Sequence, residues 1–405
     1  MDVEAVLMIA NVVQPLYQAV FSSDSSTSSE EDEENDDMMM WLGLIARYNE
    51  PVVRIQNYIE YYVPQFSYER FQAHFRVTIE AFVTLENRIG PLIAIHNDGA
   101  GRQPISARKQ LLATIWLLAT PESYRSVADR FGIAESTLWQ SVQRVTNALI
   151  GIAPQIISWP TPAQRQVISA AFEQVAGLPT VIGAVDGAFV EIKAPAVDKE
   201  VYVTRKFFYA YTVQRISDSN LKFIDIYTGW PGSVSDTRIF RNSPIYEDVM
   251  AHRAEFFDEE QYIIGDKAYP VLDWCIAPYI NRGNLTVHQA RFNTAHARQR
   301  ATIERAWALL FGRFRRLKYL DMTREDLIPS TILACCVLHN ICLDHQDLEI
   351  AQFENEGHIF RIDRDHDQEI EQVVLNPDAA AIRGLQRRNE LCRLIHARHA
   401  ALQQA

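Results

Sequence analysis

This 405-residue chain carries only five cysteines, and Cys275, Cys335, Cys336, Cys342 and Cys392 form no spaced framework. That argues against a disulfide-stapled scaffold and suits a reducing intracellular compartment. The paired-cysteine knuckles of structural zinc sites are also missing. Cys335, Cys336, His339 and Cys342 lie close together, but in the apolar run TILACCVLHNICL, which reads as a buried helix rather than a metal cluster. There is no basic start followed by a small-residue cleavage site, so no signal peptide is expected. No stretch of about 18 uncharged apolar residues suggests a membrane span. Positive charge is short as well, with a formal net charge of −12.

That shortage is one of distribution. Between Thr286 and Leu320 eight Lys or Arg face a single acid, whereas Asp344 to Gln372 holds ten acids against two arginines. Total charge is therefore a poor guide to a binding face. The stretch Thr294 to Leu317 reads as one amphipathic helix, with Ala306, Leu309, Leu310 and Phe314 at helical spacing. Its only acid, Glu304, stands among His296, Arg298, Arg300, Arg305, Arg313, Arg315 and Arg316. Two readings fit: a solvated basic helix with one internal ion pair, or a metal-holding carboxylate flanked by phosphate-facing arginines.

In chain order, four regions are expected. Residues 1–40 contain SSDSSTSSEEDEENDD (Ser22 to Asp37), a serine and acid tract with nothing to bury. Residues 41–155 are helical. Within them Ala107 to Leu118, Tyr124 to Phe131, a turn at Gly132 and Glu135 to Ile150 follow the helix-turn-helix pattern. Its last helix would present Gln140, Gln143 and Arg144, beside Ser136, Thr137 and Trp139, to a major groove; a plain helical bundle is the alternative. Pro154 to Pro162 reads as a linker. Residues 165–345 then switch periodicity, with strands at Pro179 to Ile192, Lys206 to Ile216, Leu221 to Thr228 and Gln261 to Gly265. Residues 346–405 form an acidic segment and a C-terminal helix.

Three strands, a helix and a fourth strand is the order of a ribonuclease H-like α+β (α/β) fold, in which strands one and four lie side by side. Asp186 in the first strand and Asp266 ending the fourth would then be neighbours, with Glu304 closing the site. Three hard oxygen ligands at one point suit Mg²⁺ or Mn²⁺, and two such ions can drive phosphodiester cleavage. Each acid also has a structural reading: Asp236 as a helix cap after Ser235, and Asp266 as a turn residue.

Five motifs carry a resemblance: VDG (Val185 to Gly187), GWPGSVSDTRIF (Gly229 to Phe240), GDKAYP (Gly265 to Pro270), FNTAHARQRATIERAWALLFGRFRRL (Phe292 to Leu317) and LHN (Leu338 to Asn340). Their order and intervals over Val181 to Leu343 resemble the PIF/Harbinger superfamily of DDE transposases and the nucleases derived from them. The resemblance implies a DDE nuclease with catalytic Asp186, Asp266 and Glu304, and a divalent metal held by these and Asp236. Ser235 and Lys267 stand where that family often has histidine and serine.

The expected activity is therefore a metal-dependent DNA endonuclease of transposase type. His296, Arg300, Arg305 and Arg313 are expected at DNA phosphates, and Arg144, Gln140 and Gln143 at the helix-turn-helix. The rival is a domesticated, non-cutting DNA- or protein-binding module; an RNA-directed ribonuclease is disfavoured by the helix-turn-helix. The resemblance further implies a Myb/SANT-like accessory DNA-binding partner and a nuclear protein imported with it. A homo-oligomer is compatible, and no membrane association is expected.

Overall fold

The structure, a computed structural model, describes residues 54–95, 103–345, 349–362 and 379–404. The serine and acid tract and parts of the acidic segment lie outside the described residues. Among the described residues six α-helices precede the sheet, the first five being α1 (Tyr68–Phe75), α2 (Ile79–Ile93), α3 (Ala107–Ala119), α4 (Tyr124–Phe131) and α5 (Glu135–Ile156). The first four each begin at a Ser or Thr whose side-chain oxygen accepts a backbone N–H three residues on, Ser67, Thr78, Ser106 and Ser123. Gly132 ends α4 at φ 65°. A Cβ there would stand 2.6 Å from the Ile55 carbonyl oxygen, so conformation and space both demand glycine.

The expected linker is mostly absent. Helix α5 runs through Pro154 to Ile156, and α6 (Pro162–Ala176) starts at Pro162 behind a Thr161–Gln164 capping box. Proline is tolerated at a first helical position, where its missing N–H has no intrahelical partner to lose. The prolines thus leave a short joint, not a flexible connection.

A five-stranded sheet follows, made of β1 (Val181–Glu191), β2 (Ala210–Ser217), β3 (Phe223–Pro231), β4 (Tyr262–Ile264) and β5 (Cys275–Ile276), in the order β3-β2-β1-β4-β5. The first three strands are an antiparallel meander. Strand β4 pairs in parallel with β1, and β5 in parallel with β4. Between β3 and β4 come α7 (Asp236–Arg241) and α8 (Pro244–Phe256). Four helices complete the described chain: α9 (Val287–Arg313), α10 (Ile328–Leu343), α11 (Ile350–Ile362) and α12 (Ala379–Gln404).

The long basic helix begins seven residues earlier than the sequence suggests, behind a Thr286–Gln289 capping box, and stops at Arg313. Residues Arg315–Lys318 form a separate 3₁₀ turn. Helix α10 holds the cysteine run, and Cys335, Cys336, His339 and Cys342 are all buried, the cysteines as free thiols. The stretch Glu325–Leu343 has the length and apolarity to cross a membrane, yet two-thirds of it is buried inside the protein. It is a core helix. The LHN motif clamps the sheet edge: Asn340 accepts from the Phe223 N–H at 2.9 Å and donates to the Phe223 and Ile156 carbonyls, while the His339 Nε2–H donates to the Leu221 carbonyl.

One buried apolar cluster runs from Tyr58 to Ile395 and includes both the early helices and the sheet. Arginines expected at DNA stitch these parts together. Arg313 is fully buried and donates to the Arg76 carbonyl at 2.6 Å. Arg315 donates to the Ala119 carbonyl at the end of α3, and Arg316 to the Glu122 carbonyl in the connection to α4. Cations at a helix C-terminus satisfy carbonyls that have no intrahelical partner.

Helix α11 lies along α9 at unusually close range. A Cβ on Gly312 would stand 1.6 Å from the Phe353 carbonyl oxygen, and one on Gly357 1.7 Å from that of Ala308. Bidentate pairs Arg305–Glu354 and Arg76–Glu356 flank this crossing.

Candidate active site

The sheet register brings the first two acids together. Ala184 pairs with Ile264 across the parallel β1–β4 ladder, and two residues further along each chain stand Asp186 and Asp266. Neighbouring strands run about 4.8 Å apart, so the carboxylates become close neighbours. The charge of Asp186 is felt at Asp266, whose carboxyl is pushed up to about 6, first by burial and second by Asp186. Opposing these, the Ala268 N–H donates to the Asp266 carboxylate at 2.9 Å, and Arg300 and Lys267 favour its charged form. Asp266 is thus a turn residue and a site residue at once.

Across the antiparallel ladder Asp186 faces Arg215, and directly opposed residues share a sheet face. The Arg215 guanidinium, only 1% exposed, meets the Asp186 carboxylate at 3.0 Å and lies 4.3 Å from the Trp307 ring centroid on α9. Arg300 comes within 3.9 Å of the other Asp186 oxygen and binds Glu304, one helical turn along, at 2.5 Å. Glu304 therefore reaches the site through Arg300.

Asp236 is the first residue of α7, with Ser235 as its N-cap. Its side chain lies against Gly187: a Cβ on that glycine would fall 2.1 Å from Asp236 Oδ1. The glycine of VDG is thereby explained, since any side chain there would evict the carboxylate. The buried hydroxyl of Tyr269 is held far above the usual phenol range by burial, and then by Asp236, Asp186 and Asp266 together. All three acids therefore lie within electrostatic reach of Tyr269.

The acids suit a divalent cation in kind, since hard carboxylate oxygens crowd together and Asp266 bears the cost of that crowding. Among the described residues, however, no three acids sit close enough to share one ion as they stand. Arg300 bridges Asp186 and Glu304 in the space between them. The donor chemistry fits, with Arg300 in the place where a cation's charge would act.

Other expected contacts fare differently. His296 is buried, with its Nε2–H donated to the Ile276 carbonyl at 3.0 Å; burial pushes its imidazole down to about 4. It anchors β5 and is corrected from a DNA contact to a core residue. Arg313 is corrected likewise, because its guanidinium serves the Arg76 carbonyl. Arg305 is exposed but held by Glu354 at 2.8 Å. Arg144 folds back to Gln110 at 2.5 Å and to Gln140 at 3.5 Å. Gln140 and Trp139 remain exposed on α5, and Gln143 is half-buried.

Sequence reasoning missed Arg215 and Tyr269. An arginine inside the strand AYTVQRIS is the signal for the first, but only the register reveals its partner. The cleft between α8 and α12, lined by Arg253, Asp273, Arg383 and Arg387 among others, contains none of these residues.

A family model described as DDE superfamily endonuclease matches residues 185–340, spanning Asp186 to Asn340. HARBI1 of Bos taurus is 31% identical over 246 residues, 60% of this chain and 68% of its own length. The chain belongs to the PIF/Harbinger-derived DDE family. HARBI1 of Homo sapiens is 30% identical with the same coverage. A protein named ALP1-like from Arabidopsis thaliana is 28% identical, with 62% of its length spanned by this chain. No solved structure matches the chain. Membership gives Asp186, Gly187 and the GDKAYP acid one setting: a DDE endonuclease domain built on this mixed sheet.

Proposed function

We propose that the chain is a divalent-metal-dependent DNA endonuclease of transposase type. The observation that carries this reading is the pairing of Asp186 and Asp266 on adjacent parallel strands, close enough for one to raise the other. Membership in a DDE endonuclease family agrees with it, as does the name of HARBI1, which describes that protein provisionally as a nuclease. Asp186, Asp266 and Glu304 would hold Mg²⁺ or Mn²⁺, with Asp236 alongside. When bound there, such ions would supply an activated water or 3′-hydroxyl for attack on phosphorus and charge stabilisation of the leaving oxygen.

The chain's own residues do the rest. Arg215 fixes the Asp186 carboxylate from the buried side of the sheet. Arg300, released from Asp186 and Glu304, becomes available to a phosphate. The Ala268 N–H orients Asp266. Exposed Trp139 and Gln140 on α5 are the groups through which a helix-turn-helix would meet DNA. The low overall charge favours a Myb/SANT-like partner that supplies DNA affinity and nuclear import.

A second reading has its own support. Both oxygens of Asp186 face arginines, and a relative from Arabidopsis thaliana, 29% identical, is named for antagonism of like heterochromatin protein 1, not for cutting. A non-cutting binding module fits these facts. The test is cleavage of labelled duplex DNA with Mg²⁺ or Mn²⁺ by wild type and Glu304→Gln, with and without a Myb-like partner. Cutting by wild type alone supports the nuclease. Equal DNA binding with no cutting by either, and no rise in thermal midpoint of wild type on adding Mn²⁺, supports the module.

A further inference from the structure

The connection between β1 and β2 ends in a projecting hairpin whose tip is unlike the rest of the surface. Val203 bridges Tyr209, the Phe207 N–H donates to the Thr204 carbonyl, and the Thr204 N–H donates to the Phe208 carbonyl. This is a tight turn followed by one residue in the left-handed region, a position that glycine usually fills. Here it is Phe207, at φ 63°. Its side chain is 90% exposed, more than any other large apolar side chain among the described residues. The next residue, Phe208, packs edge-on against Phe189, so the hairpin has an anchor and Phe207 is not it. Folding gains nothing from this aromatic and bears its backbone strain, which marks a functional position.

Its surroundings point to the ligand. Arg205 and Lys206, both exposed, form the turn immediately before Phe207. Residues 193–209 hold four basic against two acidic side chains. The hairpin also stands on the loop that delivers Asp236: the Gly232 N–H donates to Ala210 and the Ser233 N–H to Val201. No side chain fits at Gly232, where a Cβ would lie 2.8 Å from the Tyr202 carbonyl oxygen. The base of the hairpin is therefore tied to the loop that carries Asp236.

We propose that residues 203–209 are a DNA-contacting finger, with Phe207 stacking on or between bases and Arg205 and Lys206 against the flanking phosphates. An apolar wedge beside cations is how proteins unstack or grip DNA without reading sequence. The proposal rests on the nuclease reading for its substrate. From Asp186 to Glu191 is five strand residues, about 17 Å, so the tip should touch DNA roughly five to eight base pairs from the cut.

The test uses the full chain and a nicked duplex oligonucleotide of mixed sequence, labelled with 2-aminopurine at successive positions, with Ca²⁺ in place of Mg²⁺. Phe207→Gly relieves the left-handed strain and should raise the thermal midpoint, while weakening DNA binding about tenfold and abolishing the local 2-aminopurine signal. Phe207→Trp should retain both. Arg205→Gln with Lys206→Gln should lower the salt slope of binding by about two. Unchanged binding and fluorescence in Phe207→Gly overturn the finger even where wild type cuts DNA with Mg²⁺. Loss of binding in Phe207→Gly supports the finger even where wild type cuts nothing. Capture of protein instead of DNA through Phe207, or no DNA binding by wild type, overturns it.

Discussion

The closest packing in the molecule gives its sharpest mutational expectation. In Gly312→Ala the new methyl would begin 1.6 Å from the Phe353 carbonyl oxygen and 2.5 Å from its carbon. Comfortable contact needs about 3.5 Å, and the obstacle is backbone, so α11 must move away by roughly 2 Å. That motion breaks into the burial of Phe353, 1% exposed, which stabilises by about 1.5–3 kcal/mol. It also strains the Arg76–Glu356 pair at 2.9 Å, which contributes about 1.5–3 kcal/mol as a charge-assisted bond. The half-exposed Arg305–Glu354 pair adds under about 1 kcal/mol. Overpacking that relaxes partly costs about 1–3 kcal/mol, so the expected loss is about 2–4 kcal/mol. Gly151→Ala is the control: nothing lies within 4 Å of its Cβ position in α5, and alanine there should stabilise by about 0.5–1 kcal/mol. Urea unfolding gives the stabilities, and amide exchange over residues 350–362 shows whether α11 has lifted. A Gly312→Ala protein within about 0.5 kcal/mol of wild type, with unchanged exchange in α11, would refute the packing argument.

Two further expectations concern buried charge. His339 and His296 are buried and neutral, with imidazoles pushed by burial down to about 3 and about 4. The unfolded state takes up protons below its ordinary value of about 6.5 while the fold does not, so stability holds above that pH and falls below it. Each histidine should contribute a slope of about 1.4 kcal/mol per pH unit down to its folded value. Buried Asp225 and Asp266, pushed up to about 7 and about 6, oppose this trend, so the histidine contribution is read as a difference. Between pH 7.5 and 5 His339→Asn should lose less stability to denaturant than wild type, and equal losses would contradict it. Asp186→Asn removes the carboxylate charge from the buried Arg215 and should cost about 3–5 kcal/mol, whereas Glu304→Gln, half-buried against Arg300, should cost under about 1 kcal/mol. Circular-dichroism melts compare them, and equal melting would mean that Arg215 does not depend on Asp186.

Much of the site was legible because strand periodicity locates Asp186 and Asp266, and the strand order makes them neighbours. Strand β2 begins at Ala210, four residues later than its composition suggests, because Lys206 and Phe207 belong to a hairpin tip that alternates like a strand. Strand β5, two residues long, leaves no periodic trace at all. The basic helix misled more seriously. His296 and Arg313 look like surface cations, and only the packing of Ile276 and Arg76 against α9 shows that both serve buried carbonyls. The glycines of VDG and of α9 were equally opaque. Their role is set by what approaches them, Asp236 and Phe353, from distant parts of the chain.

Just past the end of α9, Arg315 reaches the Ala119 carbonyl at the end of α3 and Arg316 the Glu122 carbonyl before α4, with a continuous apolar cluster beside them. This makes the molecule a ruler. On the proposed nuclease reading, a duplex gripped by α5 would be held at a set distance and angle from Asp186, so the interval between a bound sequence and a cut would be written into the protein's shape. Lengthening that interval would then require new DNA geometry or a second molecule, because one buried cluster holds the early helices and the sheet together.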